Sequence, residues 1–256
     1  MSLIRFERVT KRLGGRTVLN RLDLEIARGE TFVVLGSSGS GKSVTLKHMI
    51  RLLTPDEGRV WIGDDCISEA RGGALERIRR RFGVLFQSAA LLQWMSVFDN
   101  VALPLREQGR LDETAIADRV RDKLKLLGLE DAVAKFPADL SGGMQKRVGL
   151  ARAMILDPEI ILYDEPTSGL DPVTSRTIDG LIEDLRRRLG ITSVVVTHDL
   201  HSALAIGARI GLLHQGRVAE LATPAEFVRS QNELARSFLE SQYITRRGVW
   251  EEGNGV

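Results

Sequence analysis

Residues 36–43 read Gly-Ser-Ser-Gly-Ser-Gly-Lys-Ser, and no other stretch restricts the fold of this chain as tightly. The pattern G-x-x-x-x-G-K-[ST] carries its chemistry only where a buried strand runs into a glycine-rich loop that opens a helix. Both flanks are present. TFVVLG (31–36) is continuously apolar, as a strand covered on both faces must be, and SVTLKHMIRLL (43–53) follows at helical period. Backbone N–H groups of such a loop, with the positive end of the helix, cradle phosphate oxygens, and glycines allow the close approach. The candidate phosphate contacts are Gly36, Ser37, Ser38, Gly39, Ser40, Gly41, Lys42, Ser43 and Val44. Lys42 would reach the β and γ phosphates, and the Ser43 hydroxyl would bind Mg²⁺.

The rest of the chain supplies the sheet around that loop. FGVLFQ (82–87), EIILYDE (159–165) and ITSVVVTHD (191–199) are further buried strands separated by helical patterns, which predicts an α/β fold with a mostly parallel sheet. Residues 2–8 and 17–28 alternate apolar and polar and read as antiparallel strands joined at Gly14-Gly15, and GRVWIG (58–63) adds a short strand. From Ser88 to about Pro137 the pattern turns helical, with TAIADRVRDKLKLLG (114–128) stopped by Gly128. The block 88–157 reads as a helical subdomain inserted into one domain spanning 1–240, with a loose tail over 241–256. PVTSRTIDGLIEDLRRRLG (172–190) has proline in its first turn and glycine at its end. A hairpin over Gly216 and a capping box at TPAE (223–226) complete the C-terminal part.

Other chemistry gathers at strand ends. Asp164 closes a buried strand, where a carboxylate can hold Mg²⁺, and Glu165 next to it could polarise an attacking water as general base. Gln87 ends its own strand, so its side chain can lie beside the metal and the γ-phosphate. The metal set is then Ser43, Gln87 and Asp164. His198 follows SVVVT and could hydrogen-bond the γ-phosphate and hold the water in line; Glu165, His198 and Lys42 are the catalytic candidates.

A second glycine turn remains. Ser141, Gly142 and Gly143 open a helix rich in Lys146, Arg147 and Arg152, a second anion site on a chain whose first loop already holds its own phosphates. Two such sites make sense if each caps a neighbour's nucleotide, so that a head-to-tail pair buries two ATP molecules. SGLDP (168–172) would lie on the same seam.

The order G-x-x-x-x-G-K-S, glutamine, L-S-G-G, strand-D-E, S-G-L-D, histidine resembles the ATP-binding cassette (ABC) ATPases over nearly the whole chain. The resemblance implies a P-loop NTPase cassette: a mostly parallel core sheet, an N-terminal antiparallel β subdomain and an inserted α-helical subdomain that grips a membrane permease. It further implies an ATP-hydrolysing homodimer with ATP and Mg²⁺. Two positions depart from the family pattern. Met144 stands where the signature has glutamine, and Lys11, Arg12 and Leu13 precede Gly14 where an aromatic normally stacks on adenine.

The stretch FQSAALLQWMSVFDNVALPLRE (86–107) resembles the ATPases of mammalian-cell-entry (MCE) type lipid transporters, including the bacterial Mla phospholipid system. Leu91, Leu92, Trp94, Met95, Val97 and Phe98 crowd large apolar groups that a small subdomain would not wholly enclose, which marks a permease surface. An MCE-type lipid-binding protein is the implied further partner.

Composition narrows the rivals. With 36 basic against 34 acidic residues there is no charge asymmetry to attract nucleic acid, and no basic stripe. Soluble cassettes acting on nucleic acid or ribosomes carry paired cassettes or a long coiled coil, for which Lys42 to Ser141 leaves no room. A P-loop kinase leaves the Ser-Gly-Gly turn and His198 without a role, and other ABC importers share the ATP chemistry but not the 86–107 stretch. The start carries Arg5, Glu7 and Arg8 where a signal peptide needs apolar residues, and no run approaches the ~18 apolar residues of a membrane span. The single Cys66 fits a reducing compartment. The expected place is peripheral, on the cytoplasmic face of the inner membrane.

Overall fold

A computed structural model describes residues 2–242. The expected tail over 241–256 lies outside the described residues from 243 onward. The chain begins with a long hairpin, β1 (Ser2–Leu13) and β2 (Arg16–Ala27), turned at Gly14 and Gly15, whose φ values of 54° and 77° fit a two-residue turn with both central residues left-handed. β1 runs past residue 8 because its pairing with β2 continues to that turn through bulges. β3 (Thr31–Leu35) and α1 (Lys42–Met49) flank the glycine loop, followed by β4 (Glu57–Ile62), β5 (Asp65–Cys66) and α2 (Gly72–Arg79). α1 stops earlier than residue 53. Arg51 adopts a φ of 53°, and the Arg79 guanidinium takes the Ile50 and Arg51 carbonyls that a longer helix would have used.

Next come β6 (Phe82–Leu85), α3 (Val97–Gln108), α4 (Glu113–Leu126), α5 (Gly142–Met154) and β7 (Ile160–Asp164). Residues 88–96 are turns and extended chain instead of the helix the sequence suggested. The physical reason is Asn100. It is fully buried, its side-chain NH₂ donates to the carbonyls of Leu92, Met95 and Ser96, and its oxygen accepts from the Leu92 N–H. One amide thus satisfies backbone groups that a helix would have paired internally. α6 (Pro172–Leu189), β8 (Thr192–Thr197), α7 (Leu200–Ile206), β9 (Arg209–His214), β10 (Arg217–Ala222), α8 (Pro224–Val228) and α9 (Glu233–Ser241) complete the order.

Two sheets form. One is antiparallel in the order β2-β1-β4-β5; the other runs β10-β9-β3-β8-β7-β6 and is parallel except for the β9–β10 hairpin. Alternation along the parallel strands splits the interior in two. Phe32 and Val34 face a core shared with the antiparallel sheet and α1, whereas Val33 and Leu35 face a core shared with α3 to α7. The helices between β6 and β7 therefore bury Val101, Val120 and Val148 in the same core as Tyr163 of β7. Among the described residues no helix is long and apolar enough to cross a membrane.

Candidate functional site

β6, β7, β8 and β3 lie side by side and parallel, so residues just beyond their ends meet along one edge of the sheet. Gly36 follows β3, Gln87 follows β6, Asp164 and Glu165 close β7, and His198 follows β8. Ligands bind at the carboxyl ends of such strands because helix N-termini and loops converge there. Motifs separated by more than a hundred residues are neighbours for that reason alone.

The glycine loop curls around its lysine. Lys42 Nζ donates to the carbonyls of Gly36 at 2.8 Å and Ser37 at 3.2 Å, and lies 3.7 Å from Glu165 Oε1. At Gly36 a β-carbon would come within 2.5 Å of the Leu213 carbonyl oxygen and 2.6 Å of Ser40 Oγ, so only glycine lets the loop turn this tightly off β3. Ser37, Ser38, Gly39, Gly41, Lys42, Ser43 and Val44 wall a cleft of about 630 Å³, with Val18, Gln87, Glu165 and His198 on its other sides. The C-terminal helix α9 reaches the same cleft through Phe238 and Ser241, and Gln242 follows it there. No sequence signal pointed to that helix as a wall.

Ser43 Oγ donates to Asp164 Oδ1 at 3.2 Å. Burial pushes the Asp164 carboxyl above its usual range, the Glu165 charge adds to this, and the Ser43 hydrogen bond opposes it. Hydroxyl, carboxylate and the Gln87 amide oxygen are hard donors of the kind Mg²⁺ prefers. Among the described residues no cluster of three or more His, Cys, Asp or Glu side chains forms a closed cage. A Mg²⁺ here would complete its shell with phosphate and water oxygens, as this ion usually does. Gln87 lies two residues beyond the end of β6, not on it, and its amide nitrogen bonds Ser168 Oγ at 3.2 Å.

Glu165 is nearly buried at 9% exposure and sits at a φ of 48°, a left-handed conformation costing a non-glycine residue about 1–2 kcal/mol. Its N–H bonds the Val196 carbonyl at 2.8 Å, which holds it there. Oε2 meets His198 Nδ1 at 2.9 Å and Thr197 Oγ1 at 3.3 Å. A carboxylate only accepts, so the Nδ1 proton of His198 donates to it, and Nε2 of the neutral ring is left as an acceptor. The site thus joins a loop cation, a carboxylate and an imidazole in contact.

The Ser-Gly-Gly turn is elsewhere. Ser141 caps α5, accepting from the Met144 N–H at 3.3 Å, and contributes no wall to the glycine-loop cleft. Gly143 packs so closely on α6 that a β-carbon would lie 2.5 Å from Thr174 Cγ2. The basic residues expected to support an anion here are committed inward. Lys146 donates to the Gln87 and Glu165 carbonyls, Arg147 to those of Leu127 and Gly128, and Arg152 to that of Ala89. Only the turn itself is left to face an anion. Met144 is half-buried against the core, and Lys11 and Arg12 pair with Asp56 and Glu57.

The apolar stretch divides. Leu91 and Val97 are core, Leu92, Met95 and Phe98 are half-buried, and Trp94 is 74% exposed. Trp94 is thus the most displayed apolar side chain of the stretch, with Phe86 38% exposed.

A second cleft, about 660 Å³, adjoins Glu165 and His198 between α6 and α7. Its wall includes Asp179, 5% exposed, whose Oδ1 has no partner among the described residues. Ser202 Oγ lies 2.8 Å from Asp179 Oδ2 and 3.1 Å from Asp199 Oδ2. One hydroxyl proton cannot serve two carboxylates, and Asp199 already accepts from the His201 and Ser202 N–H groups in capping α7. Burial, with Asp199 adding, pushes Asp179 up to about 6 from 3.8. Its folded pKa being raised, the penalty for ionising it grows as pH rises from 3.8 to about 6 and is full above that, at most ~3 kcal/mol. Asp179→Asn, which keeps a donor for Ser202, should therefore raise stability to urea at pH 7.5 by about 1–2 kcal/mol. That gain should shrink by roughly half at pH 5. A gain independent of pH would contradict the buried-acid assignment.

The profile of the family described as ABC transporter matches residues 19–168. The chain is 41% identical over 244 residues to the probable ribonucleotide transport ATP-binding protein mkl of Mycobacterium leprae, covering 95% of this chain and 70% of that one. It is 36% identical over 241 residues to the intermembrane phospholipid transport system ATP-binding protein MlaF of Haemophilus influenzae, covering 94% and 91%. It superposes on a dimeric ATP-binding cassette solved in a post-hydrolysis state with ADP and Pi, with TM-score 0.79 and 35% identity over 86% of this chain and 98% of the other.

Proposed function

The chain belongs to the ABC transporter family, and on that premise we propose that it is the ATPase subunit of a membrane transporter moving phospholipid or a related lipid. As a member of the family it binds ATP with Mg²⁺ and hydrolyses ATP. The contact of Lys42, Glu165 and His198 at one sheet edge carries the catalytic assignment. Lys42 leaves the loop carbonyls for the β and γ phosphates, and Ser43, Asp164 and Gln87 would hold the Mg²⁺. Glu165 takes the proton of the attacking water, and His198 orients that water through Nε2, which as an acceptor does not donate to the γ-phosphate. Ser141, Gly142 and Gly143 close the nucleotide of a second copy in a head-to-tail homodimer. The 86–107 stretch contacts the permease, with an MCE-type lipid-binding protein in the same assembly on the cytoplasmic face of the inner membrane.

Support for the lipid assignment is the match to MlaF over 91% of that protein, together with the single exposed tryptophan of the permease-facing loop. A second reading, transport of a ribonucleotide, is favoured by the name of the mycobacterial relative. Purifying the complex through a tag on this chain and identifying its subunits and lipids separates the two. A permease with an MCE-type protein and bound phospholipid is the expected result; a permease lacking both overturns the lipid reading.

Trp94→Glu should remove permease and ATPase from a common complex while the isolated chain binds ATP within about twofold of the parent, because exposed anchors dominate interfaces without supporting the fold. Half-buried Leu92 is a poorer target. Co-purification undiminished by Trp94→Glu contradicts this surface.

A further inference from the structure

We propose that Lys146 is a positioning residue that braces the Ser141–Gly143 turn to the loops carrying Gln87 and Glu165. The half-site offered to a partner then moves with the half-site that reads the γ-phosphate. The inference rests on the roles assigned above to Gln87, Glu165 and the turn.

Lys146 lies in the second turn of α5 and is 5% exposed. A buried ammonium is costly unless its N–H groups are matched. No carboxylate pairs with it among the described residues; it donates to the backbone carbonyl of Gln87 and, at 3.2 Å, to that of Glu165. Burial pulls its pKa below the usual lysine range, while the charges of Glu165 and Asp164 push it back. One carbonyl belongs to the loop after β6 and the other to the end of β7. A donor-only centre with three N–H groups can hold both at once, which no hydroxyl or aliphatic side chain could.

The remainder of α5 reinforces the contact. Gly149 has no side chain where β6 and the following loop press in, since a β-carbon would meet Leu85 at 2.8 Å and Ala89 at 3.1 Å. Arg152 donates to the Ala89 carbonyl at 2.8 Å. At the other end of the helix, Gly142 and Gly143 rest on Leu170 and Thr174, just beyond the Ser168 that Gln87 bonds. A shift of the Gln87 loop on metal binding must therefore either carry α5 and its turn with it or break the Lys146 bonds.

Lys146→Met retains the apolar stem and removes the donors, and Lys146→Arg restores them. In the assembled transporter, Lys146→Met should bind ATP within about threefold of the parent. Its turnover at saturating ATP should fall at least ~10-fold with KM little changed, since small misplacements of catalytic groups are that costly. With Glu165→Gln added, it should fail to trap ATP. Lys146→Arg should recover at least about a third of turnover. Should Lys146→Met not fold, Lys146→Leu, which also keeps an apolar side chain and no donor, is read against the same thresholds. More than half of parental turnover in the variant read overturns the brace. So does an equal loss of ATP binding and turnover in both that variant and Lys146→Arg, which marks packing alone. Glu165→Gln is measured beside it. If Glu165→Gln still turns over, the base assignment fails; if it is dead while the Lys146 variant is active, only the brace fails.

Discussion

Glu165→Gln should bind Mg-ATP at least as well as the parent and hydrolyse it at least ~10²-fold more slowly, the cost of losing a positioned base. Glutamine preserves the shape of the side chain and can still meet Thr197 and His198, so the left-handed backbone at this position should be maintained. An amide cannot take the proton of the attacking water. The substitution also frees Lys42 from a carboxylate 3.7 Å away, and removes a negative charge from the path of the γ-phosphate. Binding and turnover should therefore separate: bound ATP persists and the closed pair accumulates. A variant keeping more than about a third of parental turnover removes Glu165 from the chemistry.

Much of this site was legible because each motif ends a continuous apolar strand, and parallel strands of one sheet bring their carboxyl ends to one edge whatever their distance in sequence. Gly36–Ser43, Asp164, Glu165 and His198 needed no side-chain detail to be placed together. Destinations of long side chains were not legible. Lys146, Arg147 and Arg152 cluster on one helix and read as an anion site, yet each ends on backbone carbonyls: Lys146 and Arg152 on the loop after β6, and Arg147 on the turn after α4. Helical period also failed over 88–96, where one asparagine eight residues after Leu92 satisfies the backbone that periodicity would assign to a helix. The Gln242 side chain, accepting from the Leu200 N–H and donating to the His198 carbonyl, ties the end of the C-terminal helix to the histidine loop, a contact no local pattern announces.

Ser141–Gly143 forms no part of the glycine-loop cleft of its own chain, so the nucleotide site is proposed to be shared between two chains. Lys42→Ala and Ser141→Arg then damage different halves of each site. In a mixed dimer one site combines both lesions and the other is intact. Each variant carries Glu165→Gln to stop turnover, and dimers bearing one chain of each kind are isolated through two different tags. Loss of the Ser141 cap costs α5 only about 1 kcal/mol, so both chains should remain folded. Neither homodimer should trap ATP, since each spoils both of its sites. The mixed dimer should retain close to one tightly held ATP after rapid gel filtration. A site completed within one chain predicts no recovery, because every chain carries its own lesion, and a mixed dimer holding no more ATP than either homodimer would contradict the shared site.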